Sequence, residues 1–249
     1  MSKPPQVSAI VPARDSESQL ADTVARLARA LARAGDSRGG GVGEGGEILV
    51  VENGSSDGTW ALARELADDD ADVPVRALRS AVGLGRAYAA GLRHARCEVA
   101  LLTADDLPFG LTDLQAWRLA GRPAGLVVGS KAHPGSDVPR PVVRRALTAG
   151  FGWLGRRILD LDVGDTQGTV FVPTAWAQRV LPQIHSGGYL FPTELLFVAQ
   201  SFGVPITEVP VTLDAAHAEH PTRIRARDVT EMATGLVGLR RRHDLRNRP

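Results

Sequence analysis

Short apolar runs alternate with stretches of helical period along the first 130 residues. Gln6 to Val11 (QVSAIV) is rich in β-branched residues and runs into Pro12, which predicts a buried strand ending there. From Ser16 onward, Leu20, Val24, Leu27 and Leu31 recur at helical spacing, so a helix follows, with Ser16 and Gln19 placed as a capping pair. Gly39 to Gly46 is a glycine-rich loop, and Glu47 to Val51 (EILVV) predicts a second strand. Asn53 to Gly58 (NGSSDG) carries turn chemistry that opens a helix from Thr59 to Leu66, and Asp68 to Asp72 is a solvated acidic end. Val75 to Leu78, Gly85 to Ala95 and Val99 to Thr103 then predict strand, helix and strand. Strands without polar alternation are buried on both faces, so the expected fold is α/β, a mostly parallel sheet flanked by helices.

The second half is less regular. Leu126 to Gly129 and Thr169 to Val172 predict strands, and Arg140 to Leu159 a basic amphipathic helix. Tyr189 to Phe202 is helical in its later part, and Ile206 to Leu213 (ITEVPVTL) is a strand with Pro210 near an edge. Residues 214–226 carry no period and read as a loop, whereas Val229, Met232, Leu236 and Leu239 share one face of a helix from Arg227 to Arg242. No internal repeat is present.

Composition narrows the classes. A chain of 249 residues, 43% hydrophobic and 23% charged, can bury one sizeable core and is too polar for a fibre. Lys plus Arg number 29 against 28 Asp plus Glu, a formal charge of +1, which argues against a nucleic-acid partner. The single cysteine, Cys97, excludes an internal disulfide and a multi-cysteine zinc site, and the six histidines show no ligand spacing. No apolar run reaches the roughly 18 residues of a membrane span, and Met1 to Gln6 lacks the apolar core of a secretory signal. The expectation is a cytoplasmic protein, at most peripheral at the inner membrane face. Charge is uneven, however: from Thr222 to Pro249 eight arginines stand against Asp228, Glu231 and Asp244, a local +5. That segment reads either as a basic surface for an anionic membrane or as a helix packed on the domain with a basic end.

In an open parallel sheet, ligands bind beyond the carboxyl ends of the strands. The residues there are Pro12-Ala13-Arg14-Asp15-Ser16-Glu17, Glu52-Asn53-Gly54-Ser55-Ser56-Asp57, Gly83-Leu84-Gly85-Arg86 and Ala104-Asp105-Asp106. Taken singly, each has a plain reading: Glu52 and Asp57 as turn and cap residues, Asp105-Asp106 as a solvated turn.

In order and spacing these motifs resemble family 2 glycosyltransferases. VPARDSE resembles that family's VPxxNE opening, ILVVENGSSDGT its VVDDGSxDGT, GLGRAYAAGLRHA its GxGxAxxxGxxxA, and LLTADDL its strand ending in an acidic metal motif. VVGSK, then Arg140, Arg144 and Arg145, GDTQGTVFV, GGYLFPTELL and ITEVPVTL resemble the polyprenyl-phosphate hexose synthase branch, the dolichyl-phosphate mannose and glucose synthases. The resemblance implies a GT-A type (Rossmann-like) glycosyltransferase domain over residues 1–213, with a donor half at about 6–130 and an acceptor half at about 131–213. The loop and basic helix of 214–249 follow.

The implied chemistry is transfer of a hexose, with inversion, from a nucleotide-diphosphate sugar to a polyprenyl-phosphate-like acceptor. The resemblance assigns Pro12, Ala13, Arg14, Glu17, Glu52, Asn53, Asp57 and Arg86 to the donor. It assigns Asp105 and Asp106 to catalysis and to a divalent cation, Mg²⁺ or Mn²⁺, at the diphosphate. Lys131, Arg140, Arg144, Gln167 and Glu194 fall to the acceptor side, where a phosphate dianion needs positive charge more than a general base. Arg144 and Arg145 read equally as solvated residues of an amphipathic helix. The chain departs from the pattern at Ala104, which replaces the first carboxylate of D-A-D, at Pro108, at Glu52-Asn53, which replaces two aspartates, and at Phe191-Pro192-Thr193-Glu194, which replaces F-D-x-E. Transfer to a soluble small-molecule acceptor and non-catalytic binding of a nucleotide sugar are the competing readings. A dinucleotide oxidoreductase is disfavoured, because Gly83-Leu84-Gly85 lacks the third glycine of GxGxxG and follows the third strand.

Overall fold

Leucine- and β-branched segments form the strands and singly striped segments form the helices in the computed structural model, which describes residues 6–32, 45–69, 72–138, 150, 153, 155–214 and 234–242. In chain order the elements are β1 (Val7–Ala13), α1 (Leu20–Leu31), β2 (Gly46–Glu52), α2 (Thr59–Asp68), β3 (Val75–Arg79), α3 (Leu84–His94), β4 (Val99–Leu102), α4 (Thr112–Leu119) and β5 (Leu126–Ser130). A helical stretch at 155–159 (α5), β6 (Thr169–Pro173), α6 (Thr174–Val180), α7 (Phe191–Ser201), β7 (Ile206–Pro210) and a helix at 234–242 (α8) complete the described chain. The chain divides into two compact units, Met1–Leu107 with Thr169–Pro182, and Pro108–Gly168 with Gln183–Pro249.

In the first unit the strand order is β3-β2-β1-β4-β6. β1 is buried along its whole length and pairs in parallel with β2, from Val7↔Gly46 to Ala13↔Glu52, and with β4, from Val7↔Val99 to Ile10↔Leu102. β3 adds in parallel to β2, and β6 adds antiparallel to β4. α1 turns Leu20, Val24, Leu27 and Leu31 inward, the stripe seen in the sequence. Gly91 lets α3 lie close against β1: a Cβ there would sit 2.3 Å from Ile10 Cγ2. At the amino ends of the strands the buried Glu47 carboxylate accepts from Ser8 Oγ at 2.8 Å, the Arg96 amide at 2.7 Å and Arg76 Nη1 at 2.9 Å. That carboxylate ties β1, β2, β3 and the turn before β4 together.

In the second unit β5 and β7 pair in parallel, from Leu126↔Ile206 to Ser130↔Pro210, and α4 packs on both. α7 is buried from Phe191 through Ala199, so it is a core helix with no polar face to mark it. Leu236 and Leu239 of α8 are fully buried, and a Cβ at Gly235 would meet Leu190 Cδ1 at 2.2 Å. The described part of the basic C-terminal segment is thus a packed helix. Among the described residues no helix is long and apolar enough to cross a membrane.

Several elements differ from the sequence expectation. β1 continues through Pro12, because pairing with β4 stops at Ile10 and the last residues of β1 are paired with β2 alone in the register of the two ladders. Ser16 and Gln19 do not cap α1, since Gln19 stands at the cap position without a side-chain bond to the helix and both side chains point elsewhere. β6 runs antiparallel, a direction that an apolar run cannot reveal. α4 was unassigned: its short apolar pattern follows a turn in which Leu111 is left-handed, at φ 75°. β7 ends at Pro210, three residues before the expected end at Leu213. Of the expected helix at 140–159 only residues 150, 153 and 155–159 are described, and of that at 227–242 residues 227–233 lie outside the described residues.

Replacing Glu47 by Ala strands the Ser8 hydroxyl and the Arg96 amide and leaves the Arg76 guanidinium with the His94 carbonyl but without its counter-charge. The expected cost is about 2–4 kcal/mol of unfolding free energy, read from urea titration with an unchanged m-value.

Candidate active site

Loops that leave β1, β2 and β4 at their carboxyl ends are joined by hydrogen bonds within the first unit. The Ser16 amide donates to Thr59 Oγ1 at 2.8 Å, and the Ser16 hydroxyl donates to the Asp105 carboxylate. Thr59 Oγ1 in turn donates to Asp57. A file of bonds therefore runs from the loop after β2, through the loop after β1, to the end of β4. Gln19 Nε2 adds a bond to Asp105 at 3.0 Å, and Thr23 Oγ1 reaches the Asp105 carbonyl at 2.6 Å. On the other side Glu17 Oε2 accepts from the Gly58 amide at 2.9 Å, the Glu17 amide donates to Asp57 Oδ2 at 3.2 Å, and Asp15 Oδ1 takes the Ser56 amide at 2.8 Å.

The residues expected on the donor side, Pro12, Ala13, Arg14, Glu17, Glu52, Asn53, Asp57 and Arg86, all belong to this unit, as do Asp105 and Asp106. Pro12 and Ala13 are buried in β1; Arg14, Glu17 and Asp57 are exposed on the loops. Asn53 is buried and donates through Nδ2 to the Ala13 carbonyl at 3.1 Å. Arg86 is exposed on α3 and turns Nη1 to the Val82 carbonyl at 2.8 Å. Glu52 is buried, and its Oε1 receives the amides of Gly54 and Ser55, each at 2.6 Å, while Oε2 pairs with Arg79 Nε at 3.2 Å.

Burial opposes ionisation of Glu52, but the Ser55 and Gly54 amides, the Ser55 hydroxyl and the Arg79 charge outweigh it and hold the carboxyl below its ordinary range. The hydroxyl and amide of Thr59 and the amide of Glu17 likewise hold Asp57 down, against a smaller desolvation effect. Both are carboxylates at neutral pH. Tyr88 of α3 behaves oppositely: burial, with the charges of Asp105 and Asp106, pushes its phenol up, so it stays a donor to the Thr103 carbonyl at 2.8 Å.

At the end of β4 the carboxylates are Asp105, buried and held by Ser16 and Gln19, and Asp106, half-buried. Among the described residues no group of three or more His, Cys, Asp or Glu side chains could hold a metal by itself. These hard oxygens fit a Mg²⁺ or Mn²⁺ that completes its shell with ligand phosphate oxygens, and they do not make a closed protein cage.

Of the residues expected on the acceptor side, Lys131, Gln167 and Glu194 belong to the second unit, and Arg140 and Arg144 lie outside the described residues. Lys131 Nζ sits 2.6 Å from Asp165 Oδ2, 3.0 Å from the Gln167 carbonyl and 5.5 Å from the Phe109 ring centre. Asp165, fully buried, also receives the amides of Lys131 and Gln167, both at 3.0 Å. Gln167 Nε2 bonds Thr193 Oγ1 at 2.9 Å, which bonds Thr166 Oγ1 at 3.0 Å. Glu194 is fully buried, with Oε2 receiving the amides of His185 at 3.0 Å and Ser186 at 2.7 Å.

Sequence reasoning missed the residues that hold these sites in place: Ser16, Gln19, Thr59 and Tyr88 in one unit, Asp165 and Thr193 in the other. Ser16 carried a signal, read as a helix cap, and Asp165 lay inside the GDTQ motif; Tyr88 carried none.

A family model, Glycosyl transferase family 2, matches residues 8–181. Polyprenol monophosphomannose synthase of Mycolicibacterium smegmatis is 36% identical over 178 residues, covering 66% of this chain and 65% of that protein. Human dolichyl-phosphate beta-glucosyltransferase is 30% identical over 180 residues, covering 66% of this chain and 55% of its own length. The match therefore spans less than two thirds of those two relatives. Undecaprenyl-phosphate mannosyltransferase of Micrococcus luteus is 33% identical over 172 residues, 67% of this chain and 71% of that protein. Among solved structures, mannosyl-3-phosphoglycerate synthase from Rubrobacter xylanophilus superposes with a TM-score of 0.64 at 20% identity, covering 98% of this chain and 76% of that one. Glucosyl-3-phosphoglycerate synthase from Mycobacterium tuberculosis, in complex with Mn²⁺, UDP and phosphoglyceric acid, gives 0.61 at 16% identity, covering 94% and 77%. At that identity the likeness shows the fold, the GT-A type architecture expected from the sequence.

Because the folded-state pKa of Glu52 is depressed, its contribution to stability is present above the ordinary value of 4.5 and is lost as pH falls through the lower folded value. The stability difference between wild type and Glu52→Gln should hold near 1–2 kcal/mol around pH 7 and shrink below about pH 4.5, read from urea unfolding across pH.

Proposed function

The chain belongs to family 2 of the glycosyl transferases, and from that membership we propose that it transfers a hexose, with inversion, from a nucleotide-diphosphate sugar to a polyprenyl-phosphate-like acceptor. The observation that supports this reading most is the hydrogen-bonded file Asp57–Thr59–Ser16–Asp105, which makes one wall of three loops. The similarity to a polyprenol monophosphomannose synthase, a dolichyl-phosphate beta-glucosyltransferase and an undecaprenyl-phosphate mannosyltransferase supports the acceptor class.

In this reading the loops after β1 and β2 hold the donor nucleoside, with carboxylates at Glu52 and Asp57 shaping backbone amides around it. Asp106, together with donor diphosphate oxygens, would hold a divalent cation. Such a cation neutralises charge on the departing diphosphate. An oxygen of the acceptor phosphate attacks the anomeric carbon from the face opposite the leaving group. The anomeric C–O bond breaks as the new one forms, and its electron pair leaves with the nucleoside diphosphate. The phosphate arrives ionised, so no protein base has to take a proton. Lys131 is suited to grip it: an ammonium has three donors, two are used on Asp165 and the Gln167 carbonyl, and the third makes no hydrogen bond to a described residue. Arg241 and Arg242, exposed on α8, supply positive charge for the anionic membrane surface that carries such an acceptor.

The test is transfer of labelled hexose from UDP- and GDP-sugars, with Mn²⁺, to a short polyprenyl phosphate and to soluble phosphorylated acceptors. Turnover that requires the prenyl chain is expected. Turnover on soluble acceptors alone would replace the acceptor assignment, and nucleotide-sugar binding without turnover would replace transfer itself. Asp106→Ala should lower kcat by on the order of a hundredfold with little change in melting temperature. Lys131→Met should raise the acceptor KM about tenfold at similar donor KM.

A further inference from the structure

Arg79 ends β3 beside Glu52, its register partner on β2. Its Nε lies 3.2 Å from Glu52 Oε2, and its guanidinium carbon lies 4.4 Å from the centre of the Trp60 ring. Glu52 is the last residue of β2 and Trp60 the second of α2, so both ends of the connection between them restrain one side chain. A long, exposed arginine loses rotamer entropy when fixed, and an ion pair at a surface seldom repays that loss. Yet here the guanidinium plane is fixed twice over. Its carbon lies over the indole, while the side chain as a whole stays 59% exposed. Among the described residues its two Nη groups make no hydrogen bond.

We propose that Arg79, set over Trp60 and pinned by Glu52, is the stacking platform for the nucleobase of the sugar donor. The inference rests on the donor reading above and adds a residue that the family motifs did not point to. Guanidinium planes stack on bases as they do on aromatic side chains, and each stacked face is removed from water. Glu52 offsets the positive charge, so the platform offers a flat surface more than a net charge, which suits a neutral base better than a diphosphate. Glu52 then serves the base through Arg79: its carboxylate is committed to two amides and this guanidinium.

The experiment is calorimetric titration of the full chain with UDP, GDP and inorganic pyrophosphate, each with Mn²⁺, for wild type and Arg79→Lys. Lysine keeps the charge and loses the plane. The expected result is a loss of roughly fivefold or more in affinity for the nucleoside diphosphate that wild type binds, with pyrophosphate affinity held within about twofold and the melting temperature unchanged. Equal weakening of nucleotide and pyrophosphate, or no weakening of either, overturns the platform while leaving the donor reading intact. A wild-type chain that binds no nucleoside diphosphate overturns the donor reading and the platform with it.

Discussion

Ser16 has to satisfy two loops at once. Its amide serves Thr59 and its hydroxyl serves Asp105, and it is fully buried, so neither bond can be exchanged for water. Thr59 begins α2, and Asp105 follows β4. The positions of the loop after β2 and of the acidic turn are therefore set by one residue on the loop between them. Tyr88 reinforces the same turn from α3 by bonding the Thr103 carbonyl. Residues at the mouth of the sheet, Glu17, Asp57 and Asp106, inherit their placement from these buried contacts.

Asp165 plays the corresponding part in the second unit. Three donors converge on its buried carboxylate, two backbone amides and the Lys131 ammonium, so the end of β5 and the turn before β6 are locked to each other. A buried carboxylate with a buried ammonium fixes the direction of the lysine, at the expense of part of its charge. Lys131 is thus an oriented donor more than a bare cation.

The sheet of the first unit was legible because its strands are short and wholly apolar and α1 carries a clean stripe. What was not legible follows from physics that a linear pattern lacks. An apolar run does not encode direction, so antiparallel β6 went unseen. A core helix such as α7 has no polar face, and its boundary was fixed only by its loop. The motifs after β1, β2 and β4 pointed to loop residues that the structure joins by hydrogen bonds, Glu17 and Asp57 to each other's loops and Asp105 to Ser16. Their mutual bonding was hidden, since a serine followed by a glutamine three residues later reads as a helix cap whether or not a buried aspartate, 89 residues on, claims the hydroxyl. Glu52, read from the sequence both as a turn residue and as a donor contact, braces its own turn by accepting the Gly54 and Ser55 amides.

If one wall of three loops grips a nucleotide sugar, ligand binding must quiet all three together. Amide hydrogen exchange, with and without a UDP- or GDP-hexose and Mn²⁺, measures that directly. The account predicts slowed exchange in residues 14–19, 53–58 and 104–107 at a common ligand concentration. Protection confined to one of these segments, or found elsewhere while all three stay unchanged, would contradict it.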